Sequence, residues 1–155
     1  MHLHWKKWTR LYSSTRDGDS FHTMLYKVKG HRYSVIAVKT MKGEVFGGFV
    51  ATEWQDKSES YFGTGQSFLF SFARSSEDVA LIYKWTGSNM YIQLCDSMHS
   101  RIALGGGGSF GLVIENNFSS GSSGVSDTFA NAQLASTEMF NVLSFEIYGF
   151  VDVWS

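Results

Sequence analysis

The sequence predicts a mainly β domain of the α+β type, with two antiparallel sheets packed face to face as a sandwich and flanked by a few short helices. Three observations carry this expectation. Aromatic residues make up 16% of the 155 residues, with 13 Phe, 7 Tyr and 5 Trp, and such side chains favour pleated, half-buried surfaces. Apolar residues recur with a period of two or in short unbroken runs, and turn signals separate them about every ten residues. Only one segment carries a clear helical period. A chain of this length fits one domain, residues 1–155, whose core needs neither metal nor disulfide.

The helical segment comes early. Residues 15–20, Thr-Arg-Asp-Gly-Asp-Ser, form a turn signal ending in two good N-cap residues, Asp19 and Ser20. Phe21, Met24, Leu25 and Val28 then repeat at i, i+3, i+4 and i+7, which gives a helix one apolar stripe for core packing. Lys27 and Lys29 suit the negative end of the helix dipole, and Gly30 can take the left-handed conformation that ends it.

From residue 33 onward the period changes. Runs 33–39 and 44–51 are joined by Thr40-Met41-Lys42-Gly43, which predicts a hairpin. Runs 67–73 and 79–85 follow, and Thr86-Gly87-Ser88-Asn89 predicts a second hairpin that joins 79–85 to 91–95. Residues 101–104 and 110–115 flank Gly105-Gly106-Gly107-Gly108-Ser109. The closing segment alternates most clearly: Leu143, Phe145, Ile147, Val151 and Val153 are expected on one face, with Ser144, Glu146, Tyr148 and Asp152 on the other. This makes about eight strands. Residues 119–124, Ser-Ser-Gly-Ser-Ser-Gly, read by composition as a flexible loop, held within the fold by Phe118 and Phe129.

The chemistry-bearing residues form no constellation. The four-glycine run lacks the lysine of a phosphate-binding loop, so its glycines are expected to supply positive φ or close backbone approach. Residues 61–67 have two glycines and likewise no lysine after them, which reads as a turn entering a strand. No Gly-x-Ser-x-Gly elbow is present. Cys95 ends an apolar strand beside Asp96, where a thiol packs as a small hydrophobe and stays protonated. His2, His4, His22, His31 and His99 are scattered without zinc-site spacing. Asp17-Gly18-Asp19 and Glu115-Asn116-Asn117 lack the remainder of a calcium loop and read as turns. No catalytic residue, cofactor or metal is therefore expected.

The 13 basic and 14 acidic residues leave a net charge of -1, which provides no field to steer nucleic acid or anionic lipid. A lone cysteine excludes an internal disulfide, and neither a spanning apolar run nor a signal-peptide pattern is present. A cytoplasmic protein that does not insert into membranes is expected. One alternative function comes from Trp5, Trp8, Trp54, Trp85 and Trp154, since a β-sandwich can stack sugars on exposed indoles. Core positions are the commoner use of such residues, and Trp85 fits a hairpin anchor.

Several strings resemble the TLDc family. They run through Trp8, residues 11–21, residues 43–49 (Gly-Glu-Val-Phe-Gly-Gly-Phe), residues 61–70 (Tyr-Phe-Gly-Thr-Gly-Gln-Ser-Phe-Leu-Phe) and residues 83–89 (Tyr-Lys-Trp-Thr-Gly-Ser-Asn). They continue in 93–96, 105–108, 110–112, 121–124, Thr128-Phe129 and 145–150, in an order and spacing that cover nearly the whole chain. The resemblance implies a β-sandwich flanked by helices, no established enzymatic activity and association with protection against oxidative stress. It implies a protein partner, the cytosolic peripheral subunits of the vacuolar proton-pumping ATPase, and with it recruitment to vacuolar or lysosomal membranes. The chain departs from the family pattern at Gln66, where a glutamate is usual, and at residues 126–131, where Ser-Asp-Thr-Phe-Ala-Asn replaces Cys-Glu-Thr-Phe-Gly-Asn. Ala130 thereby stands at a glycine turn.

Irregular loops on a rigid sandwich usually carry binding. The expected contact surface is the loop set of residues 105–109 and 119–127, in which Gly105, Gly106, Gly107, Gly108 and Ser109 together with Gly121, Ser122, Ser123, Gly124 and Asp127 are singled out.

Overall fold

The structure, a computed structural model, describes residues 6–72 and 79–152. Strand β1 (Lys6–Ser13) leads through a single helical turn, α1 (Ser14–Asp17), to helix α2 (Phe21–Val28). The other strands are β2 (Ser34–Thr40), β3 (Val45–Val50), β4 (Phe68–Ser71), β5 (Leu81–Lys84), β6 (Gln93–Asp96), β7 (Arg101–Leu104), β8 (Leu112–Glu115), β9 (Ser120–Ser122) and β10 (Met139–Asp152). One layer has the order β5-β4-β3-β2-β10-β1 and the other β10-β9-β8-β7-β6, with antiparallel neighbours throughout. Strand β10 belongs to both: Met139, Phe140 and Asn141 pair with β9, and the residues beyond pair with β2 and β1.

The mainly β sandwich that the composition predicts is the observed class. Its core lies between the layers, where Ile36, Val38, Phe46 and Leu69 meet Ile102, Leu104, Leu112 and Ile114. The layers approach closely enough that a Cβ on Gly48 would come within 2.5 Å of Leu104 Cδ1. Burying each such aliphatic side chain contributes up to about 1.5–3 kcal/mol. Helix α2 packs its stripe onto the same core: Phe21, Met24 and Val28 are buried, and Phe21 stacks on Phe118, which stacks on Phe145. Ser20 caps its start by accepting from Thr23 N at 3.3 Å, and Gly30 follows its end at φ +85.

The hairpin predicted around residues 40–43 is present as β2 and β3. The second hairpin is not. Strand β5 pairs with β4 in one layer, whereas β6 pairs with β7 in the other, so residues 86–89 carry the chain between layers. Residues 15–17, expected as a turn, belong to the helical turn α1. The described residues hold ten strands, not eight, because β1 and β9 were not anticipated. Strand β9 comes from the serine-glycine stretch expected to be a loop. Its Gly121 is wedged so that a Cβ would lie 2.4 Å from Val113 O and 2.9 Å from the Phe140 ring, and small side chains carry no hydrophobic period.

In β10 a bulge between Val142 and Ser144 shifts the register. Leu143, expected inside, is 50% exposed, while Phe145 and Ile147 are buried as expected. The opposite face is not purely polar either, because Tyr148 and Phe150 join Val35, Phe49, Phe68 and Phe70 in a second apolar cluster. Residue 73 of the predicted run 67–73 and Val153 lie outside the described residues.

Candidate functional site

The loop after β7 is shaped by its glycines. Gly105, Gly107 and Gly108 have φ of 85, 75 and 88, a region that residues with a Cβ rarely enter. Gly106 is needed for space: a Cβ there would lie 2.8 Å from Tyr61 Oη and 2.9 Å from Tyr91 Cβ. The Tyr61 hydroxyl donates to Gly105 O at 3.3 Å, which brings the turn at residues 61–67 against the glycine loop.

Thr128, fully buried, ties this loop to two others. Its hydroxyl oxygen accepts from Gly106 N at 2.9 Å and lies 2.8 Å from the Asn89 side-chain oxygen, to which it donates. Its carbonyl accepts from Thr86 N at 2.9 Å. Asp127 N donates back to the Gly106 and Gly107 carbonyls at 3.0 and 2.9 Å, and Ser88 Oγ donates to Asp127 O at 2.8 Å. Asn131 closes residues 124–131 by accepting from Ser126 Oγ at 2.6 Å and donating to Gly124 O at 2.9 Å. Trp85 braces the assembly from beside Gly65, donating from its indole nitrogen to Asn89 O at 2.8 Å.

These loops present a hard, shallow surface. Gly106, Gly107, Gly108 and Ser109 share one open depression with Ser122, Ser123 and Gly124, alongside Tyr61, Phe110 and Glu138. Asp127 lies in an adjoining depression with Thr86, Ser88, Asn89 and Val125. Gly105, Gly106, Gly121 and Ser123 are buried; Gly106 and Ser123 form the floor of the depression, and Gly121 lines a separate one with Asn116 and Phe140. Val125, 61% exposed, lies within the expected stretch 119–127, whereas Glu138 belongs to the surface but was not anticipated, since it carries no local turn or binding signal.

A family model for the TLDc domain matches residues 2–151. The chain belongs to the TLDc family. Oxidation resistance protein 1 of Homo sapiens is 35% identical over 144 residues, which cover 92% of this chain and 16% of that protein. The protein of the same name from Xenopus tropicalis gives the same figures, 35% over 144 residues. That of Cryptococcus neoformans is 30% identical over 159 residues, covering 96% of this chain and 33% of that protein. The chain thus spans only a minor part of the length of the curated relatives it matches.

Within the TLDc fold the departures from the family pattern are accommodated. Ala130 adopts the glycine-like conformation, φ 47, and its N–H still reaches Ser126 O at 2.9 Å, so the turn persists despite the Cβ. Gln66 and Asp127 are exposed.

The reactive groups are quiet. Cys95 is buried, and burial, reinforced by Asp56 and Asp96, pushes its thiol up to about 12. One trio escaped the sequence: Glu59, Asp96 and His99 bring ligand atoms within 4.8 Å of one another, because residues far apart in the chain meet where β6 ends. They could hold a cation, yet the Asp96 carboxylate already faces His99 Nδ1 at 2.5 Å and Arg101 Nε at 3.7 Å.

The tryptophans have separate settings. Trp54 is buried, Trp85 is half-buried, and Trp8 is 58% exposed but tilts against Phe150 and Tyr148. Because β5 and β6 are not paired, Trp85 anchors an interlayer turn and not a hairpin. Trp5, Trp154, His2 and His4 lie outside the described residues. Among the described residues no helix is long and apolar enough to cross a membrane.

Proposed function

We propose that this TLDc chain is a non-enzymatic protein-interaction module whose loop platform docks on a protein partner. The observation that carries the reading is the hydrogen-bonded unit around Thr128, which fixes three loops into one surface before any partner arrives. Rigid loops lose little entropy on binding.

The partner proposed is the cytosolic peripheral sector of the vacuolar proton-pumping ATPase, with an effect on its assembly or activity. This rests on family resemblance, and an association with oxidative-stress protection rests on the names of the relatives. The chain would act in the cytoplasm and reach organelle membranes through that partner. Affinity capture of the peripheral sector by the purified chain, scored by ATPase activity and subunit release, tests it. Stoichiometric capture that weakens in Asp127→Lys or Val125→Glu is the expected result, and no capture by the unaltered chain would overturn the assignment of the partner.

A further inference from the structure

An antiparallel sheet with one face on the core normally turns polar residues to water. The layer that contains β2, β3 and β4 does the opposite. Its outward positions carry Val35, Phe49, Phe68, Phe70, Tyr148 and Phe150, a cluster separate from the core between the layers. Every member sits on β2, β3, β4 or β10 or directly flanks them, with Val35 and Phe49 buried at the centre and the remaining rings partly buried around them. Cross-strand register keeps the rings adjacent: Phe49 faces Phe68 with centroids 5.3 Å apart, and Val35 faces Tyr148.

The apolar surface reaches water at both ends of the layer. Trp8 is 58% exposed and packs edge-on against Phe150 at 4.9 Å. Ile82, opposite Phe70 on β5, is 48% exposed, and Phe72 is 39% exposed. An apolar surface spread over six strands, four of them carrying aromatic rings, differs from the scattered apolar residues of an ordinary exterior, and contiguous patches of this kind mark binding faces.

Among the described residues, the charges beside it that lack an ion pair are basic. Lys84 lies opposite Phe68 and Lys39 opposite Val45 on the outward side. The guanidinium of Arg32 sits 5.0 Å over the Tyr33 ring. All three are exposed, and none has an ion pair among the described residues. Glu146 is neutralised within the face by Arg10 at 2.9 Å. The chain as a whole is slightly acidic, at -1, so this concentration of cations is local.

We infer that the outward face of the β5-β4-β3-β2-β10-β1 layer is a second docking surface, for a protein segment that presents an apolar face flanked by carboxylates. Aromatic rings supply the desolvated centre, and Arg32, Lys39 and Lys84 supply a rim that selects acidic flanks. The glycine loop lies on the other layer, so this inference stands apart from the platform described above.

The test uses the purified full chain and a labelled amphipathic helical peptide of about five turns, with a leucine face flanked by glutamates. A lysine-flanked twin and vesicles of phosphatidylcholine with phosphatidylserine form the other arms. The glutamate-flanked peptide is expected to bind, to weaken with salt, and to lose about tenfold in affinity in Ile82→Glu and in Phe72→Glu. Both sites already meet water, and circular dichroism checks that the fold is intact. Lys39→Glu combined with Lys84→Glu is expected to shift preference to the lysine-flanked twin. Equal or tighter binding of that twin to the unaltered chain, binding to vesicles alone, binding to nothing, or binding indifferent to Ile82 and Phe72 would each overturn the inference.

Discussion

The hydroxyl of Thr128 accepts the backbone N–H of Gly106 at 2.9 Å, from 22 residues away and with no exposure to water. Buried backbone donors that lose their acceptor are costly, so this contact fixes the position of the glycine loop. Thr128→Val, which preserves shape and removes the hydroxyl, is expected to lower stability by about 1–3 kcal/mol, read as a drop in the urea midpoint. Thr128→Ser keeps the bond and should lose clearly less. Equal losses in the two variants would show that the methyl group, and not the bond, matters.

Gly65 lies against the indole of Trp85, and a Cβ there would come 2.1 Å from Trp85 Cε3. Gly65→Ala is therefore expected to push the ring aside, break its bond to Asn89 O and destabilise by about 1–3 kcal/mol. A shift of tryptophan emission together with a lower melting temperature checks this. An unchanged spectrum with unchanged melting would refute it.

Ala130 occupies a left-handed conformation at φ 47, which costs a residue with a Cβ about 1–2 kcal/mol. Ala130→Gly relieves that strain but frees the unfolded chain. The net expectation is a modest gain, about 0.5–1 kcal/mol, seen as a raised melting temperature. A drop would mean that the methyl group makes a contact worth more than the strain.

The buried thiol sets a pH dependence. Cys95 titrates at 9.0 when unfolded and near 12 in the fold because of burial, with Asp56 and Asp96 adding to the effect. Tyr12 moves from 10.0 to about 12, through burial first and then Asp17 and Asp19. Above pH 9 the unfolded chain releases protons that the native state retains, so alkali favours unfolding. Stability should be insensitive to these groups below that pH and should fall as pH rises toward 12. Chemical denaturation across this range checks the trend, and Cys95→Ala should flatten its lower part. A profile identical in the two proteins would remove Cys95 as a cause.

Local signals were legible where local physics decides. The cap at Ser20, the stripe from Phe21 to Val28 and the turn at residues 40–43 all act within a few residues, and each appears in the fold. The Thr86-Gly87-Ser88-Asn89 turn was legible as a turn, but not as a passage between layers, because the partners of β5 and β6 are chosen by strands elsewhere. The Gly121 strand and the outward aromatics of β10 depend on cross-strand neighbours that no window of sequence contains. In the candidate surface, Gly106 and Asp127 could be nominated from loop composition. Glu138 reaches the surface only through folding of a segment outside both loops.

Strand β10 bonds to β9 at one end and lies between β2 and β1 along the rest. Its partner β1 is separated from it by nearly the whole chain, and it is the last described element in sequence order. During synthesis neither layer can therefore be finished until this strand has left the ribosome, and earlier strands wait with open edges and exposed rings. The newborn chain passes through an interval in which it is most prone to aggregation, and a message truncated within β10 would leave both layers unclosed.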